Sequence, residues 1–251
     1  MKGHVGRNRL REGNESSLPV ATILFIAANP LQVHSLQLNE ECRAIERVLA
    51  SSRFRDQVRF RACWAVRLDD VVQALNDDAP TVLHFGGHGY GAQGICLQAE
   101  HGNPEIVSTD ELVEIIPAAG ESVTTVVLNA CYTDVQARAL ARHVPCVVGT
   151  SGAIEDGAAI EYSRWLYRAL ASGRSVANAH SQGAAAFKRC GANGVLRDVA
   201  AAENALHVNV PRLLTRSDID PDRVYIAGPE TLLRYAYHRN KSESEEQVAR
   251  P

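Results

Sequence analysis

Two side chains in this sequence stand where chemistry could be done. His88 lies in "TVLHFGGHGYG", residues Thr81 to Gly91, held between glycines at the end of an apolar run. Cys131 ends a second such run, "TTVVLNACYTD", which begins at Thr124. An imidazole and a thiol that reach one carbonyl make a thiol protease centre: the ring takes the thiol proton at neutral pH and later returns it to the leaving amine. Each motif alone also has a plainer reading, because a cysteine at a strand end is commonly a small buried hydrophobe. Glycine-rich strand ends are equally common where a sheet meets a helix.

The neighbours of both residues suit the chemical reading. Gly86, Gly87 and Gly89 let the backbone approach a substrate closely, and the Gly89 amide is free to donate to a developing oxyanion. Cys131 stands between a strand and the start of a helix, with Thr133 or Asp134 as the cap, so the helix amino terminus can help stabilise a thiolate. No third member is evident, and the expectation is a Cys-His dyad. His84 precedes His88 by one i to i+4 step, but on a strand that step does not make the adjacent pair a metal needs. It reads as a hydrogen-bonded core histidine that positions the loop. Trp165 and Tyr167 read as packing residues, and Cys146 in "PCVVGT" as a buried, inert thiol. His101, His143, His180, His207 and His238 fall outside both motifs.

The elements that would position the pair alternate regularly. "ATILFIAANP" is a buried strand ended by Asn-Pro, followed by a helix with Leu38, Cys42, Ile45 and Leu49 at helical spacing. "QVRFRACWAV" alternates Val58, Phe60, Ala62 and Trp64 with arginines and suits a sheet edge. A helix "LDDVVQAL" leads to the strand "TVLHF", and "ICLQAEHGNPEIV" reads as a hairpin turning at Gly-Asn-Pro. Ser108 and Glu111 have capping-box spacing ahead of the next helix. "TTVVLNA" and "PCVVGT" are buried strands around the helix "DVQARALARHV"; two long helices follow, and "VNVPRLL" and "RVYIAG" are weaker strands. Such alternation predicts an α/β fold with a mostly parallel central sheet and helices on both faces. Ligands of such sheets bind beyond the carboxyl ends of the strands, where "GGHG" and "NACYT" both fall. The first strand is followed by "AANPLQ", which is no phosphate cradle and argues against a nucleotide-binding flavodoxin-like module.

Composition bounds the function. With 45% hydrophobic residues the chain can build a packed core, and a net charge of -3 leaves no basic surplus for direct nucleic-acid binding. No apolar run approaches the roughly 18 residues of a membrane span, and no secretory signal is visible, so the cytoplasm is the expected location, with no membrane partner. The six cysteines, Cys42, Cys63, Cys96, Cys131, Cys146 and Cys190, are widely spaced and read as reduced thiols without a metal site. Residues 1–19 and 233–251 are polar and aperiodic, which predicts disordered tails around one domain at 20–232.

Taken together, "TVLHFGGHGYGAQGICL", "VVLNACYT" and "VPCVVGTSGAIEDGAAIEYSRWLYRALASGRSVANA" resemble, in that order, the successive motifs of the CHAT domain, a caspase-like cysteine protease family. "ILFIAANP" and "PRLLTRSDIDPDRVYIAG" are similar to its compact bacterial single-domain members, so the likeness runs from Ala21 to Gly228. It implies a caspase-like three-layer sandwich and peptide hydrolysis without a cofactor, with His88 as the family histidine and Cys131 as the nucleophile. The oxyanion donors would be the backbone N–H groups of Gly89 and Cys131. The residue two before the nucleophile, here Asn129, lines the pocket for the side chain preceding the cut in caspase relatives. Metacaspases, which cut after Arg or Lys, carry Asp there, so the neutral Asn129 argues against strongly basic specificity. Glu155 and Asp156, in a loop that contributes to the caspase pocket, would restore an acidic wall; a helix cap is the plain alternative for Asp156.

The resemblance further implies a protein or peptide substrate and a role as a partner-activated effector in bacterial defence or programmed death. A non-catalytic caspase-like scaffold that recruits partners is the alternative.

Overall fold

The computed structural model describes residues 20–120, 122–195 and 209–231; the two polar tails inferred from sequence lie outside them. Every residue is buried in β1 (Ala21–Ala27), β3 (Val82–Gly86) and β7 (Thr125–Asn129), three inner strands of the sheet. Burial on both faces explains why they read as continuous apolar runs rather than as alternating ones. With β2 (Val58–Trp64), β8 (Cys146–Gly149) and β9 (Arg212–Thr215) they form one sheet in the order β2-β1-β3-β7-β8-β9. All pairs are parallel except β8 with β9, the antiparallel edge.

Alternate residues along each strand feed opposite layers, as the twofold period of a strand requires. Ile23, Phe25 and Val127 pack on one side with Ile45, Tyr162 and Phe187, from the helices α1 (Leu38–Ala50), α5 (Asp156–Leu170) and α6 (Val176–Val195). Leu24, Ile26 and Val126 pack on the other with Leu75, Leu112 and Leu140, from α2 (Leu68–Asp78), α3 (Thr109–Ala118) and α4 (Asp134–Leu140). The result is the expected three-layer sandwich.

Several local readings hold. Edge strand β2 turns Arg59 and Arg61 outward, where both pair with Asp78 at the end of α2. Ser108 and Glu111 form the capping box of α3, with the Ser108 N–H donating to Glu111 at 2.8 Å. "RVYIAG" differs from its expectation: among the described residues only Tyr225 bridges, to Ser175, while Ile226 and Ala227 are buried without a strand ladder.

One difference bears on the site. The strand leading to His88 ends at Gly86, and His88 belongs to a separate antiparallel sheet of β4 (His88–Gly89), β5 (Ile95–Gln98) and β6 (Pro104–Val107). His88 pairs with Cys96, and Gly89 with Ile95. The central sheet therefore delivers the chain to the site, while the small sheet holds the backbone of His88 and Gly89. The turn between β5 and β6 runs through Glu100–Gly102, with His101 at φ 61, ahead of the Asn-Pro pair.

Candidate active site

Strands β3 and β7 are adjacent and parallel, with Gly86 opposite Asn129, so both motifs leave the same end of the sheet side by side. Gly89 then passes so close to the Cys131 backbone that a Cβ there would lie 2.0 Å from the Cys131 carbonyl oxygen. Only glycine fits that approach. Beyond the cysteine the chain turns sharply, with Tyr132 in the left-handed region at φ 54. The Tyr132 N–H donates to Gly152 O at 3.1 Å, and the Asp134 N–H to Thr150 O at 2.9 Å.

Thr133 occupies the N-cap position of α4 but does not cap it. Its buried hydroxyl instead meets the carbonyls of Leu128 and Ala130, each at 3.2 Å, and accepts the Thr150 N–H. Asp134 pairs with Arg138 at 2.8 Å. The Ile154 N–H, in the loop after β8, donates to the thiol, 3.4 Å from Sγ.

His88 has an orienting partner that no side-chain pattern could reveal. Its Nε2 is 2.8 Å from the backbone carbonyl of His34. A carbonyl only accepts, so Nε2 carries the proton and the neutral ring keeps Nδ1 as its base. The loop presenting that carbonyl is braced by Asn29, which donates to Leu36 O and accepts the Leu36 N–H, both at 3.2 Å. Gln98 of β5 donates to Asn29 O at 3.1 Å and joins this loop to the sheet that carries His88.

His88 and Cys131 lie in the wall of one open cleft, together with Asn129 and Asp156. Glu155 stands outside it, exposed at the N-cap position of α5. Asp156 is the first residue of that helix rather than its cap, and its carboxylate accepts the Gln37 N–H at 2.9 Å, joining the starts of α1 and α5.

Asn129 turns inward. Its amide donates to Glu41 at 2.6 Å and reaches Ser163 Oγ at 3.2 Å and Ala159 O at 3.3 Å. Glu41, on α1, is 3% exposed and also lines the cleft. It receives the Ser163 hydroxyl at 2.7 Å and lies 3.0 Å from His84 Nε2. That N–H is not aimed at the oxygen, so the contact is one of proximity rather than a hydrogen bond. His84 is fully buried, and its Nδ1 meets the Tyr167 hydroxyl at 3.0 Å. Burial, with lesser contributions from Glu41 and Tyr162, raises the Tyr167 phenol well above its ordinary range, so the hydroxyl stays protonated and donates to the ring. His84 is thus the core histidine its strand position implies. Glu41 escapes sequence reasoning, although a carboxylate on the stripe of Leu38, Cys42, Ile45 and Leu49 was a visible signal.

Burial pushes the Cys146 thiol up to about 12 and the Cys42 thiol up to about 11, with Glu46 and Glu41 adding to the latter. Cys131 is only half-buried and opens on the cleft. A nucleophile and a base oriented by a third group are the parts of covalent thiol catalysis.

The fold is that of a caspase-like α/β sandwich. Gingipain R, described as an Arg-specific cysteine proteinase, superposes over 82% of this chain and 48% of its own with a TM-score of 0.51 and 14% identity. A secreted C11 cysteine protease from Bacteroides thetaiotaomicron, solved with an irreversible peptide inhibitor, covers 69% of this chain and 59% of its own at a TM-score of 0.50 and 12% identity. The CHAT domain family model matches residues 8–190, and the chain belongs to that family. A "Roc-COR-CHAT protease" from an unknown prokaryotic organism is 27% identical over 175 residues, which are 66% of this chain and 16% of that protein.

Proposed function

We propose that this protein is a cysteine endopeptidase acting on protein substrates. The observation that carries the reading is the shared cleft of Cys131 and His88, with the histidine's tautomer set by the His34 carbonyl. Cys131 Sγ attacks the scissile carbonyl while its proton passes to His88 Nδ1. The tetrahedral oxyanion is held by the backbone N–H groups of Gly89 and Cys131; among the described residues the latter makes no backbone hydrogen bond. The imidazolium then protonates the leaving amine, and a water activated by the same ring releases the acyl group.

We place the protein in the cytoplasm and, from the family resemblance, as an effector in bacterial defence or programmed death, switched on by a protein partner. Among the described residues no helix is long and apolar enough to cross a membrane. The test is co-expression with neighbouring gene products, comparing wild type with Cys131→Ser. Cleavage of a co-expressed protein that is lost in Cys131→Ser is expected. Cleavage that survives the substitution, or a partner bound but never cut, would replace the enzyme with a scaffold.

A further inference from the structure

The cleft beside Cys131 has a carboxylate at its floor that the catalytic steps do not use. Glu41 is almost wholly buried, yet all three of its polar contacts, from Asn129, Ser163 and His84, converge on Oε1. Among the described residues no donor reaches Oε2, which lies beside Gly86 at the head of the segment leading to His88: a Cβ on Gly86 would sit 3.2 Å from it. A buried carboxylate oxygen without a donor is costly, and one that faces a cleft is a binding group awaiting its partner.

The rest of the cleft suits a long amphipathic side chain. Leu38, Ile154 and Ile160 make an apolar passage, and Asp156 stands in the wall with one carboxylate oxygen engaged by the Gln37 N–H. Arginine and lysine carry such a stem, with a cation at its end.

We propose that Glu41 is the specificity-determining residue of the cleft, and that the cleft takes the cationic side chain of arginine or lysine at the position preceding the cut. The substrate position rests on the protease reading above; the choice of a cation rests on the pocket alone. Asn129 leaves the strand end neutral, but its amide holds Glu41 in place, so the negative charge comes from α1. An acidic side chain would meet two carboxylates, and an apolar one would leave Oε2 desolvated and unpaired.

The test measures protection of Cys131 from iodoacetamide in the full chain, by mapping the alkylated residue in the presence of butylguanidine or its neutral isostere butylurea. Half-protection by butylguanidine is expected at a concentration about 10-fold or more below that of butylurea. Glu41→Gln is expected to bring the two within about 3-fold, and Asp156→Asn, which perturbs the interior less, to narrow the gap in the same direction. Equal protection by both compounds in wild type, no protection by butylguanidine, or an undiminished preference in both variants would each overturn the proposal. A preference for butylguanidine in a protein that cuts no substrate with any partner would keep the pocket and end the protease reading. Cleavage after apolar or acidic residues, without that preference, would do the reverse.

Discussion

The Nε2 of His88 stands 2.8 Å from the main-chain oxygen of His34, so one member of the proposed catalytic apparatus is a backbone carbonyl. It cannot be deleted by mutation, but its support can. Asn29→Ala removes the two bonds that hold Leu36 and frees the segment carrying His34. We expect kcat to fall about 10-fold with KM little changed, and stability to fall by about 1–2 kcal/mol. Steady-state kinetics on a cleaved partner protein, with urea denaturation alongside, checks both.

Gly89→Ala places a methyl group 2.0 Å from Cys131 O, and neither β4 nor the turn at Cys131 can yield without moving the proposed oxyanion site. Loss of about 100-fold or more in single-turnover cleavage is expected, the size of a lost oxyanion donor. A variant that cuts at the wild-type rate would show that the Gly89 amide is not needed.

Thiol reactivity separates the cysteines. Cys131 is half-buried at the cleft, whereas Cys42 and Cys146 are buried with thiols pushed up to about 11 and about 12. At neutral pH a peptidyl fluoromethylketone should label native protein at Cys131 and leave Cys42 and Cys146 unmodified. Labelling that persists in Cys131→Ala would remove this residue from the mechanism.

Tyr167→Phe deletes the partner of a fully buried imidazole nitrogen. The orphaned Nδ1 should cost about 1–3 kcal/mol, read as a lower urea midpoint at unchanged slope. A neutral result would mean that His84 can turn to another partner.

His180 gives stability a pH dependence. Desolvation holds this imidazole down at about 4, below its ordinary 6.5, while Nδ1 pairs with Tyr162 OH at 2.9 Å. The folded state therefore keeps the ring neutral where the unfolded chain binds a proton. Its contribution is complete above about pH 6.5 and is lost as pH falls toward 4, on the order of 2–3 kcal/mol in all. Denaturation at pH 7 and pH 4.5 should show that loss, and His180→Gln should reduce it.

Most of the fold was legible because its signals are local. Fully buried strands announced a sheet covered on both faces, and Leu38, Cys42, Ile45 and Leu49 marked the buried side of α1. The weakest reading, "RVYIAG", failed because alternating apolar residues can be buried under a helix layer without entering a ladder. Thr133 or Asp134 suits a cap by type and place, but Asp134 is already the first residue of α4, and the carbonyls of Leu128 and Ala130 compete for the Thr133 hydroxyl. Asn129 looked like a neutral pocket wall because its sequence neighbours do not include the carboxylate it holds.

By itself the sequence determined the layered α/β architecture and the positions of one histidine and one thiol at strand ends, because apolar period and glycine spacing act within a few residues. Only the tertiary structure decided what stands around them. Glu41 meets Asn129 across a separation of 88 residues, and His34 reaches His88 across 54. The first contact depends on how α1 docks on the sheet. The second is made by a carbonyl that every residue possesses, and no choice of side chain announces it.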